Sequence, residues 1–383
     1  MIKQKNIGLL CAIALLQGMV FYGPIATLYR QAAGVSVWQI TQIEAISLAL
    51  CMALEVPWGI VADRIGYRRT LLICCGLYFL SKIIFWKADG FGMFLLERIL
   101  LSVVISGLSG VDTTILYLSC RKEDAHRVFS LYQNCSTAGL VIAAGVYSLW
   151  IGTDYRLAGW LTVLSYGLAA VLALWIREPP AAPREERRGD ARQALKHLWR
   201  DKRTLALLLG TALLNETHQT ITVFLNQLQY VRAGMSDRAI GAAYIAVTAM
   251  GLLGGFSARI TARLGVKRTG GLLLLGSAGA CAVLCVTHSA GASVAAILAL
   301  RIGFSLYQPL QTELQNRRVA TPDRATALSL NALLMEGTGV GTNLVFGAAA
   351  QTALPLAMGI GVLLCLAGYV LFRVGCGRGE TTA

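Results

Sequence analysis

Twelve apolar stretches alternate along the chain with short runs of charge. They cover roughly 7–29, 37–61, 69–88, 91–118, 125–150, 156–176, 204–230, 238–261, 269–288, 291–316, 324–350 and 354–373. A membrane-crossing helix needs about 20 mainly apolar residues. The hydrocarbon layer holds no water, so every backbone N–H and C=O must be paired within the segment. Composition agrees: 56% of residues are hydrophobic and 14% charged, about half the charge of a typical soluble domain. So few charges cannot cover a water-facing surface, which excludes a soluble enzyme and a disordered chain. Sharing 383 residues among twelve crossings leaves no room for an extramembrane domain. The expected fold class is all-α integral membrane.

The net charge of +14 raises nucleic acid as a partner. The basic residues, however, form no basic domain and no aromatic-interleaved patch, so no nucleic-acid partner is expected. They separate by side instead. Of the 34 Lys and Arg, 26 fall on the side shared by the two termini, six on the other (Arg30, Lys82, Lys87, Arg156, Arg232 and Arg238) and two within spans. This asymmetry predicts a cell-membrane protein with both termini in the cytoplasm. The first stretch follows Lys3 and Lys5 as a signal sequence would, but its length and the crossings behind it favour an uncleaved span. The ten cysteines include no CxxC pair and no Cys/His ligand set, so they read as packing residues and no metal or cofactor is expected.

The connection 177–203 contains Pro179, Pro180 and Pro183 followed by a charged run, and reads as a cytoplasmic linker. It divides the chain into 1–176 and 204–383, six crossings each. The halves resemble one another. Gly59-Ile-Val-Ala-Asp63-Arg64-Ile-Gly66-Tyr-Arg68-Arg69 returns 199 residues later as Ala258-Arg-Ile-Thr-Ala262-Arg263-Leu-Gly265-Val-Lys267-Arg268. Arg98 and Arg301, in the fourth and tenth crossings, are separated by 203 residues. Matching offsets fit two parallel six-helix repeats.

The first copy of this loop resembles the signature of the major facilitator superfamily, Gly-x-x-x-Asp-Arg/Lys-x-Gly-x-Arg/Lys-Arg/Lys, and lies between helices 2 and 3 where that family carries it. The resemblance implies two pseudo-symmetric six-helix bundles, and a gating loop formed here by Gly59, Asp63, Arg64, Gly66, Arg68 and Arg69. Gly59 suits a close helix approach. Asp63 suits a helix N-terminus, which family members supply from helix 11, here beginning near Asp323. Arg64, Arg68 and Arg69 suit acids or phospholipid heads. In the second copy Ala258 and Ala262 stand in the Gly and Asp positions, so this latch is expected on one side only.

Seven acids fall within the predicted spans: Glu44, Glu55, Glu97, Asp112, Glu216, Glu313 and Glu336. An ionised acid at a helix centre costs about 2.5–3.5 kcal/mol on insertion scales, so each needs a reason. Glu44 is expected to reach water from the outer third of helix 2. Glu313 has Arg317 four residues on, and Glu97 adjoins Arg98. Glu216 and Glu336 sit mid-helix with no adjacent base and are the foremost proton-coupling candidates, with His218 beside Glu216. Glu55 and Asp112, nearer the cytoplasmic side, complete that set.

Polar residues also recur at helical spacing. Helix 7 carries Asn215, His218, Gln219, Thr222, Asn226 and Gln229. Helix 4 carries Ser102, Ser106, Ser109, Thr113 and Tyr117. Helix 10 carries Ser305, Gln308, Thr312 and Gln315, while helix 1 has Gln17 and Tyr22. Helices 1, 4, 7 and 10 line the central cavity in the family resembled, which makes these residues its expected lining. Arg98 matches that family's helix 4 arginine and is expected to be an internal charge, paired with Glu97 or a cavity acid.

The sequence therefore predicts a secondary transporter, a monomer in the lipid bilayer, moving a small-molecule substrate and protons by rocking of the two bundles. It has no GxxxxGK[ST] loop for an ATP motor. Seven acids against two arginines inside the spans favour export of a cationic or neutral amphiphile, and Ser109-Gly110-x-Asp112 resembles bacterial efflux-type members. Against that subclass, helix 5 lacks its glycine–proline pattern and helix 1 lacks an acid. Uptake of a small neutral metabolite such as a sugar is the alternative. A non-transporting sensor or scaffold on the same fold is the alternative of another class.

Overall fold

The computed structural model describes residues 2–121, 124–178, 199–318 and 324–376, and among them it is helical with no strand. Ten stretches are long and apolar enough to cross a membrane. Two further helical runs, Lys202–Arg232 and Arg324–Thr352, have the length but are diluted by polar side chains. Together they make twelve crossings, arranged as a multi-pass membrane protein.

In chain order the first six crossings comprise α1 (Ile2–Gly18) with α2 (Ala26–Ala32), α3 (Val37–Ile65), α4 (Tyr67–Lys87), α5 (Phe91–Leu108) with α6 (Val111–Ser119), α7 (Ala125–Val146) and α8 (Tyr155–Ala173). The second six comprise α9 (Lys202–Gln219) with α10 (Asn226–Arg232), α11 (Asp237–Met250) with α12 (Ser257–Leu264), α13 (Val266–Val286), α14 (Ala290–Arg318), α15 (Arg324–Thr352) and α16 (Leu354–Gly375).

Several crossings expected to be unbroken helices are not. The first is interrupted between Gly18 and Ala26, where Pro24 sits in a short 3₁₀ turn; proline lacks the N–H and crowds the preceding turn. The fourth bends at Gly110, whose φ of +81° suits glycine above other residues. The seventh passes through a π-turn at Thr220–Leu225, and the eighth through a 3₁₀ segment at the glycine-rich Gly251–Phe256.

The chain forms two compact units. One comprises Met1–Ser36, Ile46–Glu185 and Ser236–Ile245, and the other Val37–Ala45, Glu186–Met235 and Ala246–Ala383. In the first, Leu10, Ile13, Leu71, Cys75, Ile115 and Ala169 are buried together from α1, α4, α6 and α8. In the second, Leu207, Leu214, Leu274, Tyr307 and Phe372 play that part.

Asp201 starts α9. Its carboxylate accepts from the N–H groups of Arg203 and Thr204 at 3.1 Å each and from Thr204 Oγ1 at 2.6 Å, an N-cap that satisfies donors the helix cannot. Burial pushes this carboxyl up. The Thr204 and Arg203 hydrogen bonds and the charge of Arg318 outweigh that and hold it below its ordinary value.

Candidate functional site

Glu216 on α9 faces α15. On α15, Glu336, Gly339 and Asn343 are spaced by three and four residues and so share one helix face. Asn343 Nδ2 donates to Glu216 Oε2 at 3.3 Å and to the Gly339 carbonyl at 2.9 Å. At Gly339 the helices approach closely: a Cβ there would stand 2.8 Å from the Glu216 carboxyl carbon, the far end of a flexible side chain. Glu336 lies within electrostatic reach of Glu216. Among the described residues no ion pair reaches Glu216. Two of the acids expected to carry protons thus approach one another between α9 and α15, with the Asn343 amide on Glu216.

His218, two residues on, turns elsewhere. It is buried, its ring stacks on Phe304 at 3.8 Å and 5°, and its Nε2 lies 3.1 Å from Thr222 Oγ1. The helix 7 stripe was drawn for a regular α-helix. The π-turn at Thr220–Leu225 interrupts that regular spacing between Gln219 and Asn226. Gln219 is exposed and Asn215 half-buried. Asn226 is buried with its side chain on the Gln227 N–H, and Gln229 donates to the Thr287 carbonyl and Ser293 Oγ.

The other stripes divide in the same way. Ser102 and Ser106 are buried, reaching Ser47 Oγ at 2.8 Å and the Cys51 carbonyl at 3.4 Å on α3. Beyond the bend at Gly110, Ser109, Thr113 and Tyr117 are exposed. On α14, Ser305 is buried with its hydroxyl on the Arg301 carbonyl, whereas Gln308 and Thr312 are exposed. Asp112 accepts from Tyr132 OH at 2.7 Å, and Glu55 is exposed. Glu313 and Arg317 form an exposed i,i+4 ion pair at 2.5 Å.

A second buried cluster lies in the first unit. Lys82 and Arg30, counted from the sequence on the side away from the termini, are 4% and 5% exposed. Lys82 Nζ donates to Tyr22 OH at 3.1 Å and lies 3.9 Å from Glu97 Oε1. It sits 5.8, 5.0 and 5.1 Å from the ring centres of Tyr22, Tyr78 and Tyr166. Tyr22 stacks on Phe85 at 3.9 Å, and Tyr166 OH donates to the Gln17 carbonyl at 2.6 Å. Gln17 Nε2 in turn reaches Cys75 Sγ. Glu97 therefore pairs with Lys82, and Arg98 acts on the same lysine from the next position along α5. Tyr78 and Lys82, four apart on one helix, were the available sequence signal. Glu44 is also corrected: at 4% exposure it does not reach water.

The loop between α3 and α4 is built from backbone as much as charge. Gly66 precedes α4 with φ +92°. Glu178 accepts from the Arg68 N–H at 3.2 Å, while Arg68 Nε and Nη2 donate to the carbonyls of Ile176 at 2.6 Å and Leu174 at 3.2 Å. Arg68, expected on acids or lipid heads, instead covers the unpaired carbonyls that end the sixth crossing. Arg64 and Arg69 are exposed, and Gly59 lies within α3. The Asp63 side chain and Asp323 lie outside the described residues.

The profile of the Major Facilitator Superfamily matches residues 8–343. The fold is shared with a point mutant of the nucleoside transporter NupG (TM-score 0.81, 16% identity, covering 96% of this chain and 100% of that one). It is shared with a bacterial homolog of the human lysosomal transporter Spinster (0.72, 18%, 97% and 95%). A D-xylose–proton symporter also matches (0.73, 15%, 100% of both). No curated protein sequence matches the chain. With its profile spanning most of the length and its fold that of solved transporters, the chain belongs to the Major Facilitator Superfamily.

Proposed function

We propose that this protein is a proton-coupled exporter of a cationic or neutral amphiphile, in which Glu216 and Glu336 carry the proton. The observation behind this reading is the meeting of two acids at α9 and α15 with Asn343 beside them and no ion pair to Glu216. A negative charge on Glu216 beside Glu336 is costly within the membrane, and binding one proton relieves that. Release then restores repulsion, which biases α9 against α15 and drives the halves 1–176 and 204–383 through alternating access. The protein works as a monomer in the cell membrane with both termini cytoplasmic.

A second reading, uptake of a small neutral metabolite, draws on the first unit. Buried Lys82 and Arg30 offset the acids inside the spans, which weakens the charge argument for a cation. Transporters of a nucleoside and of D-xylose share the fold. Proteoliposomes with an imposed pH gradient and a panel of dyes, nucleosides and sugars separate the readings by the solute moved. Glu216→Gln with Glu336→Gln should abolish pH-driven flux while leaving solute exchange intact. Unchanged pH dependence would refute proton coupling at these acids, and no flux of any solute would favour a sensor.

A further inference from the structure

The eighth crossing ends differently from the second, its counterpart in the repeat. Where the first copy has Asp63 the second has Ala262, and where the first has Ile60 the second has Arg259, while Arg64 and Arg263 correspond. An acid has given way to a small apolar residue, and an apolar residue to a base. The end of this crossing therefore carries more positive charge than its counterpart and lacks the acid that could answer it from within the chain.

These residues line a cavity of about 650 Å³ in the second unit, within the size range of small-molecule sites. One wall is the 3₁₀ segment Gly251–Phe256 with α12, where Leu253, Phe256, Ile260 and Arg263 recur at steps of three and four and share a face. The other wall is α14, at Leu306. The walls are tied together. Buried Ser257 donates from Oγ to the Leu306 carbonyl at 2.6 Å, and a Cβ on Gly254 would stand 2.9 Å from the Ser305 carbonyl oxygen.

The lining has two chemistries side by side. Leu253, Phe256, Ile260 and Leu306 offer hydrocarbon. Arg259 and Arg263, one helical turn apart, are exposed, and among the described residues neither forms an ion pair with an acid. The Arg259 guanidinium lies 5.8 Å from the Phe256 ring centre, a contact that leaves its N–H donors for a partner. Two such forks match the oxygens of a phosphate. A fitting ligand thus joins a net negative phosphate to an apolar chain. Inorganic phosphate lacks the chain, and a zwitterionic lipid brings a cation of its own that the arginines repel.

We infer that this cavity binds an anionic phospholipid, its phosphate on Arg259 and Arg263 and the start of an acyl chain on Phe256, Ile260 and Leu306. The site stands apart from the acids on α9 and α15, and its test reads no flux.

Phosphatidylglycerol, titrated into the full chain in detergent micelles that contain phosphatidylcholine, is counted on the intact protein by native mass spectrometry. The wild type should retain phosphatidylglycerol in preference to phosphatidylcholine. A basic residue beside a membrane phosphate is worth about fivefold in affinity, so Arg259→Gln and Arg263→Gln should each weaken the tightest-bound phosphatidylglycerol by about that factor. Ala262→Asp restores the acid of the first copy and should weaken it with both arginines in place. Arg268→Gln, exposed at the start of α13 and off the cavity lining, should leave it unchanged. Residues 259, 262 and 263 are exposed, so these variants should unfold at the wild-type temperature when phosphatidylglycerol is left out. Binding indifferent to Arg259 and Arg263 would overturn the inference. So would an equal loss in Arg268→Gln, which marks diffuse surface attraction, or displacement of the lipid by an equal concentration of inorganic phosphate, which marks a free-anion site.

Discussion

Glu97 and Glu216 are carboxylates within membrane crossings of the same chain, housed in different ways. Glu97 faces a buried cation, Lys82, at 3.9 Å. Glu216 faces the Asn343 amide and lies within electrostatic reach of a second acid, Glu336, and among the described residues no ion pair reaches it. An acid inside a membrane span is thus no single kind of site: what it does depends on whether a cation was buried with it.

The same substitution in both places should break or sharpen that contrast most. Glu97→Gln removes the one acid facing Lys82, and stranding one partner of a buried pair costs about 3–5 kcal/mol. Thermal unfolding in detergent should show a large fall in stability. Lys82→Met strands the other partner and should also lower stability. In the double variant the two effects should not add. Additive costs would mean that Glu97 and Lys82 do not act as a pair.

In the second unit, Gly339→Ala probes the approach of the helices. The new Cβ would meet the far end of the Glu216 side chain, which can swing away from Asn343. The loss is one hydrogen bond, about 1 kcal/mol, and pH-driven flux should fall while folding survives. Glu216→Gln should perturb stability still less, by about 0.5 kcal/mol, since it strands no opposite charge and keeps a partner for Asn343. A loss as large as that of Glu97→Gln would reveal a buried cation paired with Glu216 and collapse the comparison.

The fold was legible because a bilayer imposes length and apolarity on each crossing; even the two runs too polar to stand out by hydropathy, Lys202–Arg232 and Arg324–Thr352, were visible between their flanking charges. Breaks were less legible. Pro24 and Gly110 announce theirs locally, but the π-turn at Thr220–Leu225, which interrupts the regular spacing of the helix 7 stripe, has no residue signature. Counting basic residues by side of the membrane says nothing of burial, because it ignores which way a side chain such as that of Lys82 points. Asn343 lies seven residues from Glu336, two turns along one face, so its place beside the acids could have been read from spacing alone. Arg68 is a different case: its partners are backbone carbonyls of Leu174 and Ile176, which carry no sequence information.

Asp201 supplies the third term of the comparison, an acid outside the spans whose ionised form is held by hydrogen bonds from Thr204 and Arg203. Its carboxyl is lowered on folding, so the stabilisation it gives is complete above the unfolded-chain value and is lost as pH falls through the folded one. Asparagine caps helices about as well as aspartate, so Asp201→Asn should change stability at neutral pH by about 0.3 kcal/mol or less. What it should abolish is the acid limb. Hydrogen exchange of the first turn of α9 should quicken on acidification in the wild type and stay level in Asp201→Asn. If both quicken alike, the cap at Lys202–Thr204 is held by something other than the charge of Asp201. Its contrast with Glu97 and Glu216 would then no longer measure what solvent contributes.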